Sequence, residues 1–438
     1  MGKKNRRDIQ QDTKAGKRGK QPFTFLSLRY DDIDMKIAQK HILFLIFASL
    51  AAKVLVMFVT TAVFHSFIDY FDIGVYLKHA MMLVGGQMPF DSEFDYPILV
   101  LIPVLIALVP ALIAQSGMVF AYTFQILMVL CDIVTVLCVY LIGLKLWDEK
   151  TAFYSGLVYV SAFSAAYFVI TKYDAFPACL LMLAIVCTIY RKEMLGYAFT
   201  ITGFFTKVFP ILALPFFVLF NSKETSIKQE VLAAAKVIVP ISAVLFLPLF
   251  LIQPETLTIY VPIRSEFGYY SNTLTFTLYS WIHDVFGIGI SIGTISAVMY
   301  IAMGLGMLAL LYAAYKIPGK NPKLLLQLLL SAIILAVVCA RVRSPQYIVW
   351  FTPLICILVM DDIKKIASLY VFQALAYIEF PLMFGTFYTS TSYTDASLST
   401  GWIITLIAFT LEYLALFVCI WVVVNPPEIY RKIRTTSR

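Results

Sequence analysis

Acidic, basic and aromatic residues gather in a few stretches of an otherwise apolar chain. Residues 65–96 hold His65, Asp69, Asp72, Lys78, His79, Asp91, Glu93 and Asp95, and residues 253–286 hold Arg264, Glu266, Tyr269, Tyr270, His283 and Asp284. Arg341 and Arg343 open a later apolar run, and Lys172 and Asp174 interrupt an earlier one. A carboxylate can take the proton of an attacking hydroxyl. Arg and Lys hold phosphate through charge-assisted hydrogen bonds. Such a collection beside a membrane suits a lipid-linked anionic substrate, although ordinary solvated loops carry the same residue types. Tyr269 and Tyr270 suit stacking on a sugar or anchoring at the interface. His79 and His283 read more readily as surface histidines than as ligands, while Lys172 and Asp174 either line a site or pair with each other. The seven cysteines lie in apolar runs and form no Cys-x-x-Cys or Cys/His cluster, so they suggest neither a disulfide framework nor a metal centre.

Membrane helices must position these groups. Of 438 residues 61% are apolar and 14% charged, with mean hydropathy +0.84. A water-soluble chain of this size could not cover that much apolar surface, whereas lipid can. Runs of roughly 18–25 apolar residues recur, each long enough to span ~30 Å of hydrocarbon as helix. They lack the period-two alternation of a strand barrel. The expected fold is all-α, a polytopic transmembrane bundle of about 12 crossings. Spans are expected near 41–64, 231–252, 287–315, 323–340, 345–360, 366–387 and 401–424. Between Asp72 and Val84, Ile73, Val75, Tyr76, Ala80, Leu83 and Val84 recur at helical spacing. That pattern predicts an amphipathic helix lying on the membrane surface within the first outer loop.

Charge sets the orientation. Residues 1–40 form a basic tail, and residues 425–438 form another with Arg431, Lys432, Arg434 and Arg438. Basic residues flanking the first and last spans hold both ends in the cytoplasm and touch anionic lipid, with no need for a nucleic-acid partner. A multi-pass cell-membrane protein with 65–96 and 253–286 on the outer face follows. The polar, Lys/Gly/Gln-rich start of the tail predicts disorder over about 25 residues. The first span begins too far along the chain for a cleaved signal peptide. Residues 41–360 form the main module and 361–424 the last helices. Pro97, Pro103 and Pro110 interrupt the run 97–115, which leaves two topologies. If that run crosses, Lys145, Lys150, Arg191 and Lys192 fall outside. If it does not, those four fall inside, as the positive-inside bias favours, and 194–220 becomes a hairpin turning near Lys207 and Pro210. Lys53 and Asp132 lie mid-run, where an interhelical ion pair is expected.

Several motifs occur in a fixed order: Phe71-Asp72-Ile73-Gly74-Val75-Tyr76, Gly85-Gly86-Gln87-Met88-Pro89-Phe90, Asp95-Tyr96-Pro97, Leu130-Cys131-Asp132, Thr206-Lys207-Val208-Phe209-Pro210, and Ser344-Pro345-Gln346-Tyr347-Ile348-Val349-Trp350-Phe351-Thr352-Pro353. Taken together they resemble the GT-C glycosyltransferases. The likeness is to the polyprenol-phosphate-mannose-dependent mannosyltransferases, in both the bacterial α-1,2 branch and the GPI first-mannose branch, and it covers about residues 40 to 360. The resemblance implies an inverting transfer of a sugar from a polyprenyl-phosphate donor to a glycolipid or glycan acceptor. It makes Asp72 the catalytic base, with Asp69 beside it. Arg341 and Arg343, with Lys207 or Arg264, would hold the donor phosphate. Tyr76, His79, Tyr96, Lys172, Asp174, Tyr269, Tyr270, His283, Gln346 and Tyr347 would contact substrate. The chain departs from the pattern in two places. Phe209 replaces a Tyr, and Asp69-Tyr70-Phe71-Asp72 replaces the Asp-x-Asp of the GPI branch. No cofactor is implied, and the second departure leaves metal dependence open. A helix N-cap role is the structural alternative for Asp72. A transporter or lipid flippase is the functional alternative, although the charges cluster toward one face and no internal repeat is evident.

Overall fold

The computed structural model describes residues 23–25, 28–30, 35–63, 69–87, 96–252, 254, 268–384, 387–388 and 400–436. Apart from a short antiparallel hairpin pairing Phe23–Phe25 with Leu28–Tyr30, these residues are helical or connect helices. The hairpin lies at the end of the stretch of about 25 residues expected to be disordered, its second strand just beyond it. In chain order the helices are α1 (Met35–Phe58), α2 (Phe71–Val84), α3 (Leu101–Ala114), α4 (Gly117–Leu146), α5 (Glu149–Val160), α6 (Phe163–Thr171), α7 (Ala175–Ile189), α8 (Glu193–Phe204) and α9 (Ala213–Asn221). They continue as α10 (Ile227–Ile252), α11 (Leu274–Tyr279), α12 (Ile292–Lys316), α13 (Pro322–Cys339), α14 (Ile348–Leu358), α15 (Ile363–Tyr377), α16 (Thr400–Val424) and α17 (Pro426–Thr436). Helix α1 starts at Met35, so the basic tail feeds directly into it. The second tail also folds, as α17.

Seven helices are long and apolar enough to cross a membrane, or eight if α5 and α6, bent by 59° at their break, form one span. Four shorter apolar helices accompany them: Ile98–Ala114, Ala175–Ile189, Phe209–Asn221 and Pro345–Leu358. Apolar side chains cover the outside as well as the core. Phe47, Val244, Leu251, Leu308 and Trp421 are all exposed, on helices α1, α10, α12 and α16, while α7, α13 and α14 are mostly buried among their neighbours. An apolar exterior of this kind is stable only against lipid. Small residues let helices approach closely. A Cβ on Gly143 of α4 would stand 3.0 Å from the Ala152 Cα of α5, and one on Gly156 would meet Leu45 of α1 at 2.8 Å.

Polar side chains fasten the interior. Lys53 of α1 lies 2.6 Å from Asp132 Oδ2 of α4, as the sequence suggests. Ser49 donates to the same oxygen at 3.0 Å, and Tyr159 of α5 donates to Oδ1 at 2.8 Å. Both oxygens are therefore satisfied, and three helices are tied at one point.

Contacts also sort the helix ends into two sets. At one end Trp147 donates to the Ile357 carbonyl, Lys145 lies over the Tyr190 ring, Arg191 pairs with Glu224, Lys320 with Glu224, and Lys323 with Asp361. At the other end are the residues after α1, the corner between α6 and α7, the turn after α8, and the segments entering α11 and α14. Lys172 belongs to this second set, opposite Lys145 and Arg191. At the start of run 97–115 the Leu99 N–H donates to the Phe205 carbonyl at 3.0 Å, and just past its end Gly117 sits against Leu77 of α2.

Candidate functional site

Lys172, Tyr173 and Asp174, the corner joining α6 to α7, organise the second end of the bundle. Lys172 is buried, with Nζ 2.6 Å from Asp69 Oδ2 and 3.0 Å from Asp72 Oδ2. One ammonium thus holds both carboxylates and seats the start of α2 against the bundle. Burial alone would lower the Lys172 pKa, but the charges of Asp72 and Asp69 outweigh it and raise the value above 10.5. Lys172 therefore does not pair with Asp174, one of the two options its spacing offered. An ammonium has three donors, and the two carboxylates preceding and opening α2 reach it first.

The two aspartates differ in what they have left to give. Asp69 Oδ1 accepts the Phe71 N–H at 2.9 Å, so both its oxygens are engaged. It caps the start of α2 from outside the helix. Asp72 is the second residue of that helix, so the capping role considered for it belongs to Asp69. No bond among the described residues reaches Asp72 Oδ1.

Asp174 forms the second centre. It is fully buried, and its Oδ1 accepts from Lys207 Nζ and from Trp350 Nε1, each at 2.6 Å. Lys207 reaches it from the turn between α8 and the 3₁₀ segment Phe209–Leu212. Its ammonium lies 4.7 Å from the Tyr173 ring centre and 5.0 Å from those of Tyr347 and Trp350, a three-sided cation–π enclosure. Trp350 is stacked between Tyr347 at 3.8 Å and Phe209 at 4.1 Å. Phe209, a departure from the motif, keeps the stacking that a Tyr ring would give. Tyr76, Tyr96 and Tyr173 join the two centres, meeting edge to face with ring centres 5.3, 5.5 and 5.8 Å apart. Burial pushes the Tyr76 hydroxyl well above its ordinary pKa, so it stays neutral.

Other residues singled out in the sequence lie elsewhere. Arg343, expected at a phosphate, is buried. It donates to Glu412 and to the Asn272 carbonyl and lies 4.9 Å from the Tyr413 ring. Glu412 sits inside α16, and Arg343 is its ion-pair partner there. Glu379 is also buried and accepts from Asn272 at 2.9 Å and from Tyr388. Arg341 is half-buried with its guanidinium 4.7 Å from the Tyr269 ring, and its carbonyl accepts the Tyr270 N–H at 3.1 Å. His79 is buried on α2, contrary to the surface reading. His283 lies 2.8 Å from Asp284 and stacks on Tyr279, and Gln346 is half-buried in the 3₁₀ turn Pro345–Tyr347. Arg264 lies outside the described residues, as do His65, Asp91, Glu93, Asp95 and Glu266. Among the described residues no three His, Cys, Asp or Glu side chains are grouped to hold a metal ion.

Sequence reasoning missed Tyr173 and the Trp350–Asp174 bond. The signal for Tyr173 was available, since it stands between the two charged residues that break an apolar run. Comparison with protein-family models, curated proteins and solved structures gives no match to this chain.

Proposed function

We propose that this chain is an integral membrane glycosyltransferase that moves a sugar, mannose by resemblance, from a polyprenyl-phosphate donor to a hydroxyl of a glycolipid or glycan acceptor. One observation carries the reading. Asp72 keeps an unbonded carboxylate oxygen in the same cluster as Lys172, Asp174 and Lys207, at one end of an apolar helical bundle. In the proposed reaction Asp72 Oδ1 takes the proton of the acceptor hydroxyl as its oxygen attacks the anomeric carbon. The bond from that carbon to the phosphate oxygen breaks with its electron pair, and polyprenyl phosphate leaves. A single displacement of this kind inverts the anomeric centre. Asp69, with both oxygens engaged, positions α2. Arg341, the more exposed of the two arginines, is the better of the pair to meet the leaving phosphate.

The two sets of helix ends support the arrangement in which 97–115 returns to its own side and α8 and α9 form a short hairpin turning at Lys207. The proposed bundle has about 12 crossings, with short helices crossing beside the seven or eight that are long and apolar enough to span. With the basic tails in the cytoplasm, the cluster falls on the outer face. A transporter is the second reading, favoured by Lys53, Asp132, Glu379 and Glu412 within membrane-length helices. The test is incubation of membranes containing the chain with labelled polyprenyl-phosphate sugars. A labelled, elongated acceptor supports the transferase. Movement of intact lipid across the bilayer without sugar transfer supports the transporter instead.

A further inference from the structure

A narrow apolar cleft lies at the end of the bundle opposite the Lys172 cluster. It runs between α9, α12 and α13 and encloses about 290 Å³, counting its open side. Phe216, Phe220, Ile317, Leu324 and Leu328, all buried, form its walls. Toward the helix ends it is lined by Lys223, Gly319 and Asn321. Gly319 has φ +74°, and nothing lies within 4 Å of where a Cβ would stand, so that side stays open. Lys223 is half-buried, and burial lowers its pKa. Its ammonium donates to the Tyr315 carbonyl at 2.7 Å and has no carboxylate at ion-pair distance among the described residues. Two neighbouring lysines at the same end do have one: Lys320 pairs with Glu224 at 3.0 Å and Lys323 with Asp361 at 3.1 Å. Lys223 is thus a cation held partly out of water, beside an apolar cleft, without an anion.

The surroundings indicate what carries that anion. Tyr312 and Tyr315 are each more than half exposed near the end of α12, a helix of membrane-spanning length. Aromatic side chains so placed mark the headgroup level of a bilayer. The Lys223 ammonium, bonded to the Tyr315 carbonyl, sits at that level. Lys316 lies over both tyrosine rings and likewise has no carboxylate partner among the described residues, so the local charge is positive. A free inorganic anion would meet the lysines and gain nothing from the hydrocarbon walls, whereas a lipid uses both. We propose that this cleft binds one anionic phospholipid, with its phosphate on Lys223 and one acyl chain between α9, α12 and α13. In the orientation proposed above, this end meets the cytoplasmic leaflet, which carries the anionic lipid. The site shares no residue with the Lys172 cluster and serves a transferase or a transporter alike.

The experiment uses the full chain in detergent, with dioleoyl phosphatidylglycerol and dioleoyl phosphatidylcholine added separately and bound lipid counted by native mass spectrometry. Wild type should retain one phosphatidylglycerol more tightly than phosphatidylcholine. Lys223→Gln should weaken that binding about fivefold, the size expected for one basic residue at a membrane surface, with the melting temperature unchanged. Lys228→Gln makes the same change of net charge at an exposed lysine of α10 outside the cleft, and should leave binding as it is. Ala314→Phe places a ring in the cleft and should abolish binding. Equal retention of the two lipids overturns the site. Equal losses in Lys223→Gln and Lys228→Gln overturn it too, since they mark diffuse surface charge. Undiminished binding in Ala314→Phe removes the acyl chain from the cleft, and displacement by glycerol phosphate alone marks a free-anion site; either result overturns the lipid. If Ala314→Phe lowers the melting temperature, the comparison of Lys223→Gln with Lys228→Gln decides.

Discussion

Two lysine–aspartate clusters in this molecule look alike in composition and differ in completeness. At Lys53–Asp132 both carboxylate oxygens are bonded, by Lys53, Ser49 and Tyr159, and the group is buried among α1, α4 and α5. At the corner of α6 and α7 two lysines serve three carboxylates, with Asp72 Oδ1 and Asp174 Oδ2 left over. The first arrangement is what holding helices together requires, since a buried polar network stabilises only when every member is paired. The second leaves one oxygen of the partly exposed Asp72 unbonded at one end of the bundle, and one of the enclosed Asp174. Completeness, more than charge or burial, distinguishes these two clusters.

The strongest challenge to that contrast is Asp72→Asn. Transfer should fall by roughly 10²–10⁴ if the group is a general base. Thermal melting should hardly move, because Lys172 keeps Asp69. A variant with full activity removes Asp72 from the base role. On the scaffold side, Lys53→Met strands an unpaired carboxylate and should cost about 3–5 kcal/mol in chemical denaturation, whereas Lys53→Met with Asp132→Leu should recover most of it. If the single and double variants melt together, the pair is not the fastening described. Arg343→Gln should behave like the scaffold variant, lowering stability by about 3–5 kcal/mol while donor KM stays put. Arg341→Gln should raise donor KM with little loss of stability, and a reversal of the two would exchange their roles.

The smallest effect concerns pH. Lys172 has its pKa raised in the folded protein by Asp72 and Asp69, against the opposing effect of burial. Its contribution is therefore complete below the unfolded value of about 10.5 and is lost only as pH rises through the higher folded value. Hydrogen exchange at the start of α2 should be unaffected by this lysine between neutral pH and that limit. Loosening near neutral pH would show that another group holds the helix.

Much of this was legible in the sequence because lipid imposes a simple rule on chain composition. Long apolar runs gave α1, α10, α12, α13, α15 and α16, and the 72–84 periodicity gave α2. Isolated charges in apolar runs gave Lys53–Asp132. The same signal was present at Glu379 and Glu412, and applied there it would have found the partner of Arg343 before that arginine was assigned to a phosphate. What remained hidden was partner choice. Lys172 has Asp174 two residues away, yet it bonds Asp69 and Asp72 about a hundred residues earlier. Only the packing of α2 on α3 and α4 brings those groups together.

The charge balance around Lys172 and Lys207 bears on how the proposed reaction would turn over. Three carboxylates face two ammoniums there, so the centre carries one formal negative charge in excess. A sugar is indifferent to that excess, but a phosphate is not. In the proposed reaction the donor arrives as a phosphodiester with one negative charge, and the lipid leaves as a monoester with about −1.5 to −2 at neutral pH. Asp72 holds the acceptor proton when the product forms, which cancels that excess; once Asp72 releases the proton the excess returns, and it then opposes the product more than it opposed the substrate. Under the proposed reaction, loss of that proton is what favours release of the spent carrier into the membrane and clears the site for the next donor.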